Sequence, residues 1–176
     1  TMNISLWPEP SPADPHRPRF HFLPQRNWMN DPNGLCQING EYHLFYQHSE
    51  HNPLGPLVNR ICWGHARSRD LVHWEHLPVA MRAGTPYDGS GVWSGCIVKD
   101  GGKAKAFYTG VAAGITKAQS QCLAESTDMI EWTKYGGNPI IPKPPAGVNP
   151  LFFRDPCVFQ YGGRWMMAVG ASFSLK

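Results

Sequence analysis

The chain alternates short apolar or aromatic runs with Gly, Pro and Asn, and hardly any stretch repeats its apolar positions with the period of a helix. Three segments share one form. INGEYHLFYQ, DGGKAKAFYTG and YGGRWMMAVG each join a glycine turn to a run rich in aromatic or apolar residues, with Gly40, Gly102 and Gly163 standing 62 and 61 positions apart. Each predicts a hairpin. Between them, SRDLVHW (residues 68–74) and STDMIEW (residues 126–132) share Ser-x-Asp, two apolar residues, one further residue and Trp, offset by 58. They predict a second hairpin, also repeated.

A unit of about 60 residues therefore carries four short antiparallel strands, and an all-β chain of such units predicts a β-propeller. About two and a half units are present, fewer than the four to eight blades that usually close a ring. A repeat array stopping mid-unit exposes strand edges and an inter-blade face. The expectation is the N-terminal portion of a longer protein, or a chain completed by a second chain or a missing C-terminal segment. A β-sandwich of about ten strands is the alternative, but its connections would not need a recurring Gly-aromatic hairpin.

Composition narrows the partners. With 176 residues, 41% hydrophobic and 12% aromatic, there is material for the core of one domain. Charged residues are only 16%, the net charge is +3 and no run of Lys or Arg occurs, which points away from nucleic acid and from a polybasic membrane patch. No segment approaches the roughly eighteen apolar residues of a membrane span. The opening TMNISLWPEPSPADPHRPRF lacks the apolar stretch of a signal peptide, and a signal already removed would read the same, so cytoplasmic and secreted locations both stay open. Residues 1–19 read as an N-terminal extension and 20–176 as propeller.

Five cysteines argue against a fully paired disulfide framework. Cys36, Cys96 and Cys157 lie 60 and 61 apart and Cys62 and Cys122 lie 60 apart, in step with the repeat. Small buried hydrophobes at equivalent strand positions are the simplest reading.

The stretch NWMNDPNGL (residues 27–35) reads first as a turn, since Asn, Asp, Pro and Gly all favour turns and Asn-Gly before an apolar run often opens a hairpin. Two details favour chemistry: Pro32 restricts the backbone of Asp31, and the neighbouring Trp28 and Met29 imply burial nearby. The repeat register adds a third. Asp31-Pro32 and Asp155-Pro156 are 124 apart, two repeats of 62, and the halfway position is Trp93 in GVWSGC. All three precede the first hairpin of a unit, so a propeller can gather two acids and an aromatic wall at one mouth of its channel. Paired carboxylates with aromatic and amide neighbours suit glycoside hydrolysis, whose oxocarbenium-like transition state needs an anion and a proton donor. The alternative is that Arg154 and Asp155 form a buried ion pair or cap a turn.

NWMNDPNG, FYQ (45–47), WGHARSRDLVHWEHLPVA, GVWSG and FRDP (153–156) together resemble, in order, the motifs of glycoside hydrolase family 32: the invertases, inulinases, levanases and related fructosyltransferases. The resemblance runs from about Phe20 to the end. It implies a five-bladed propeller followed by a β-sandwich, and a retaining mechanism through a covalent fructosyl-enzyme intermediate. By resemblance Asp31 is the nucleophile and Asp155 the transition-state stabiliser with Arg154 beside it, while Asn30, Gln47, Trp93 and Ser94 line the fructose subsite. The expected partner is sucrose or a fructan oligosaccharide, and no metal or organic cofactor is implied.

Two departures matter. The family's general acid/base is a glutamate in a Glu-Cys pair after the Arg-Asp-Pro step, and the sequence contains no such pair. General acid-base help is typically worth about 10² to 10⁴-fold, so this chain alone is expected to be inactive or weakly active. Glu125 is a poor substitute because it lies inside a repeated strand. Second, HSEHNPLGPLVNRICWGHA carries a small insertion that places Val58 where relatives usually have a pocket Trp. These departures keep a rival open, a noncatalytic carbohydrate-binding or remnant propeller, and fructosyl transfer to another sugar uses the same intermediate.

Lesser features are read as structural. His48-x-x-His51 and His73-x-x-His76 lack a carboxylate at a suitable offset, and an i, i+3 pair in a strand points to opposite faces. DGGKAKAFYTG has no strand-to-helix phosphate loop. NPIIPKPPAGVNP is read as a linker between blades rather than a ligand for a Pro-binding domain.

Overall fold

The computed structural model describes residues 13–51, 60–114 and 116–173. Ten strands follow one another: β1 (Trp28–Ile38), β2 (Glu41–Ser49), β3 (Cys62–Ser68), β4 (Glu75–Met81), β5 (Gly91–Asp100), β6 (Lys103–Val111), β7 (Gln119–Ser126), β8 (Thr133–Lys134), β9 (Val148–Tyr161) and β10 (Arg164–Phe173). They make two four-stranded antiparallel meanders, β1-β2-β3-β4 and β5-β6-β7-β8, and a two-stranded sheet, β9-β10. This is the repeat expected for two blades and the first half of a third.

The turns explain why the pattern recurs. Asn39-Gly40, Gly101-Gly102 and Gly162-Gly163 all have positive φ at both residues, the conformation that matches the twist of a tight hairpin. The second hairpin of each blade is built by Ser-x-Asp. Ser68 Oγ accepts from the backbone N–H of Leu71 at 2.9 Å, and Asp70 Oδ1 accepts from those of Val72 and His73 at 2.9 and 2.8 Å. In the next blade Ser126 Oγ accepts from Met129 N–H at 2.9 Å, and Asp128 Oδ1 from Ile130 and Glu131 at 2.8 and 2.9 Å. Leu71 and Met129 occupy the same left-handed position, at φ 64° and 68°. Residues 135–147 link β8 to β9, so most of NPIIPKPPAGVNP is the connection and its last three residues open β9.

One apolar core joins the two complete sheets: Phe45, Trp63 and Met81 from the first meet Val92, Ile97, Ala106, Tyr108 and Cys122 from the second. β5, the first strand of its sheet, lies against both β1 and β9, so the first strands of all three sheets are neighbours. A parallel bridge from Ile61 to Gly91, with Val92 N–H donating to Ile61 O at 2.9 Å, locks the first sheet to the second. The β9-β10 sheet leaves Phe152, Phe159, Tyr161, Trp165 and Met166 exposed.

Two expectations need correction. NWMNDPNGL is strand, not turn: β1 runs through it with register irregularities at Met29/Pro32 and Asn33/Cys36. Pro32 and Gly34 sit at these bulges, where a strand tolerates such residues. Gly34 has φ +56°, and a Cβ there would lie 3.1–3.2 Å from Phe45, Ile97 and Trp63, so packing of the core decides this glycine rather than a hairpin. The cysteines do fall at equivalent strand positions, Cys36, Cys96 and Cys157 on β1, β5 and β9 and Cys62 and Cys122 on β3 and β7. Only Cys62 and Cys122 are buried, however; Cys36 and Cys96 are half-buried and Cys157, on the two-stranded sheet, is exposed.

Candidate active site

A cavity of about 320 Å³ opens where β1, β2, β5 and β9 meet, lined by Trp28, Asn30, Asp31, Gln47, Ile61, Trp93, Ser94, Arg154 and Asp155. All seven residues singled out in the sequence lie on its wall, contributed by three sheets. Trp28 and Ile61 were missed. Trp28 could have been found, since it stands at i−2 from Asn30, on the same side of a regular strand; Ile61 carries no local signal.

The β1 bulge turns Asp31 toward the cavity. Its backbone N–H donates to Asn30 Oδ1 at 2.6 Å. Its carboxylate Oδ2 accepts from Ser94 Oγ of β5 at 3.1 Å. Ser94, 9% exposed, and Gln47, 4%, are buried residues of β5 and β2, so hydroxyl and amide both stand on strands rather than loops. Gln47 Nε2 donates to Val92 O at 3.3 Å, which ties the β2 residue to the second sheet.

Asp155 is held differently. It lies on β9 where the ladder to β10 is irregular, between the pairs Ala168↔Cys157 and Gly170↔Arg154, and its φ is +60°. A left-handed non-glycine is costly, about 1–3 kcal/mol, and persists only where neighbours over-determine it. Its N–H donates to Thr109 Oγ1 at 2.9 Å. Burial pushes the Asp155 carboxyl above the usual carboxylate range; the Arg154 guanidinium opposes this and the charge of Asp31 adds to it. The response to Asp31 marks the two acids as electrostatic neighbours.

Arg154 is not buried in an ion pair. Its Nε lies 3.8 Å from Asp155 Oδ2 with both side chains partly exposed. The guanidinium also stands over the rings of Trp93 and Phe152, 5.6 and 5.3 Å from their centroids. Trp93 is anchored in turn, its carbonyl accepting from Trp63 Nε1 at 3.1 Å. The cavity thus offers two carboxylates, amides, a hydroxyl, a cation and indole faces: groups that hold sugar hydroxyls and stabilise positive charge at an anomeric carbon.

Other candidates fall elsewhere. Glu125 of β7 pairs with Lys103 of β6 at 3.0 Å and is not among the residues lining the cavity. Val58 lies outside the described residues. His73 Nδ1 contacts Asp70 Oδ2 at 2.7 Å within a turn, and His48 Nδ1 contacts Trp28 O at 3.0 Å. Among the described residues no group of three His, Cys, Asp or Glu is arranged to hold a metal.

Residues 21–176 match the family model described as "Glycosyl hydrolases family 32 N-terminal domain". The chain is 44% identical over 163 residues to a vacuolar acid beta-fructofuranosidase of a Rosa hybrid cultivar, covering 88% of this chain and 24% of that protein. The crystal structure of fructan 1-exohydrolase IIa from Cichorium intybus superposes with a TM-score of 0.80 at 37% identity, covering 91% of this chain and 30% of that one. A family 32 beta-fructofuranosidase from Bombyx mori, a mutant in complex with sucrose, gives 0.76 at 34% identity, covering 89% and 32%. The chain therefore spans about a quarter to a third of the length of these proteins, and its three sheets are part of a β-propeller.

Proposed function

We propose, from the premise that this chain belongs to glycosyl hydrolase family 32, that it supplies the nucleophile and the transition-state stabiliser of a retaining β-fructosidase acting on sucrose or a fructan. One observation carries the proposal: Asp31 and Asp155 line a single cavity together with Asn30, Gln47, Trp93, Ser94 and Arg154.

In this reading the Asp31 carboxylate attacks the anomeric carbon of the fructosyl unit and forms the covalent intermediate, which water then opens. The Ser94 hydroxyl bond to Oδ2 orients the attacking carboxylate. Asp155, beside the developing oxocarbenium ion, stabilises its charge and holds fructose hydroxyls, with Arg154 opposing the rise of its pKa. Asn30 and Gln47 supply further hydrogen bonds and Trp93 an apolar wall.

In this reading the proton donor for the leaving oxygen is a third acid, distinct from Asp31 and Asp155, the carboxylates that line the cavity. Residues 20–176 are taken as the propeller portion, the activity as that of the whole protein, and this chain alone as weakly active or inactive. Transfer of fructose to a sugar rather than to water would use the same intermediate.

The test is an assay of the full gene product with sucrose, 1-kestose and inulin, alongside Asp31→Ala and Asp155→Asn. Release of fructose that Asp31→Ala abolishes supports the reading, and glucose-to-fructose product ratios separate hydrolysis from transfer. Activity unchanged in Asp31→Ala would remove the mechanism.

A further inference from the structure

We propose that Thr109 is the positioning residue for Asp155: its buried hydroxyl holds the backbone of that acid in the left-handed turn that aims the carboxylate into the cavity. The inference rests on the reading of Asp155 as the stabilising acid.

The geometry is a side-chain substitute for a missing ladder. Around Asp155 the β9-β10 pairing is interrupted, and the other edge of β9 meets side chains of the second sheet. Gln119 Oε1 accepts from Phe153 N–H at 2.9 Å and Gln121 Nε2 donates to Phe153 O at 2.7 Å. Two residues on, Thr109 Oγ1 accepts from Asp155 N–H at 2.9 Å. The three side chains are buried, Thr109 and Gln121 completely. Buried donors and acceptors without partners are costly, so these bonds determine the path of β9 rather than follow it.

Thr109 is also the junction between the two acids. Its hydroxyl has one proton, with Gln121 Oε1 at 3.3 Å and Ser94 O at 3.4 Å as acceptors. Ser94 in turn donates from Oγ to Asp31. Trp93, Thr109 and Gln121 stand in one row across β5, β6 and β7. One row of the second sheet therefore carries an aromatic wall and the hydroxyl that fixes one acid, and its neighbour Ser94 fixes the other.

The experiment uses the full gene product with sucrose. Thr109→Val keeps the shape and removes the hydroxyl, leaving Asp155 N–H without its acceptor; kcat is expected to fall roughly 10- to 100-fold, the scale of a misplaced catalytic group, with KM little changed. Thr109→Ser restores the acceptor and is expected to recover most of kcat. Combining Thr109→Val with Asp155→Asn is expected to add no loss beyond Asp155→Asn. Wild-type kcat in Thr109→Val, equal losses in the Val and Ser variants, or multiplying losses in the double variant would each overturn the inference. Should the Val variant not fold, Thr109→Ala against Thr109→Ser carries the same comparison. Full activity in Asp155→Asn would instead remove the reading of Asp155 itself, whereas loss there with none in Thr109→Val would remove only the role of Thr109.

Discussion

Ser94 of the second sheet donates a hydrogen bond from Oγ to Oδ2 of Asp31 in the first, a 3.1 Å contact between residues 63 positions apart. It is a bond between blades, and it joins the carboxylate proposed as the nucleophile to the strand that also carries Trp93. The two sheets are therefore coupled at the cavity as well as through their apolar core.

Ser94→Ala is expected to lower kcat/KM roughly 10- to 100-fold, since hydrogen bonds to charged groups contribute about 1.5–3 kcal/mol. The thermal midpoint should hardly move, because the carboxylate it leaves lines an open cavity. Steady-state kinetics with sucrose and a melting curve check both halves.

Arg154→Gln acts on pH dependence. Arg154 opposes the burial that raises the Asp155 carboxyl, so its removal raises that pKa further. A stabilising acid must be ionised, and its contribution is lost as pH falls through its pKa; the acid limb of the kcat/KM profile is expected to move to higher pH. An unshifted limb would assign that limb to another group.

Asp88→Asn tests stability away from the cavity. Asp88 is completely buried, and accepts from Gly84 N–H, Thr85 N–H, Thr85 Oγ1 and Tyr108 OH at 3.1, 2.9, 2.8 and 3.1 Å while pairing with the Lys134 ammonium. Burial raises its pKa, but Lys134 and the Thr85 and Gly84 donors outweigh it and the carboxyl is lowered overall. Its stabilisation is thus present above the unfolded value near 4 and lost as pH falls through the depressed folded value. The substitution is expected to cost about 3 kcal/mol in urea unfolding at pH 7, the scale of a broken buried pair, and less at acid pH.

His65 gives a decline of the same sign over a higher pH window. Its ring stacks on Phe45 at 4.0 Å, contacts His43 across 3.0 Å and leaves Nδ1 buried without a partner. Burial, then His43 and Arg67, push its pKa down to about 3. Between about 6.5 and 3 the unfolded chain binds a proton that the folded one refuses, so stability falls with pH across that window. His65→Gln is expected to flatten the decline by up to about 1.4 kcal/mol per pH unit, seen as melting temperature against pH from 4 to 7.

The hairpins were legible because their causes are local. Asn39-Gly40, Gly101-Gly102 and Gly162-Gly163 need only neighbouring residues to take positive φ, and Ser68 and Ser126 bond N–H groups three residues away. The bulged β1 was misread for the same reason: Asn33-Gly34 has the composition of a hairpin, and only the approach of Phe45, Trp63 and Ile97 shows why a glycine stands there. The site residues were legible as a set of motifs, but not Ile61, an aliphatic side chain that reaches the cavity only because it bridges to Gly91.

By itself the sequence determined the recurring hairpins, the four-stranded repeat and the spacing that sets Asp31, Trp93 and Asp155 on successive first strands, since turn chemistry and alternation act over a few residues. Tertiary structure decided that these first strands lie side by side, that Asp155 takes a left-handed turn, and that Thr109 meets the backbone of Asp155 while Gln119 and Gln121 meet that of Phe153. Those outcomes depend on bonds between residues 32 to 46 positions apart, and such contacts exist only once one sheet has packed against the next.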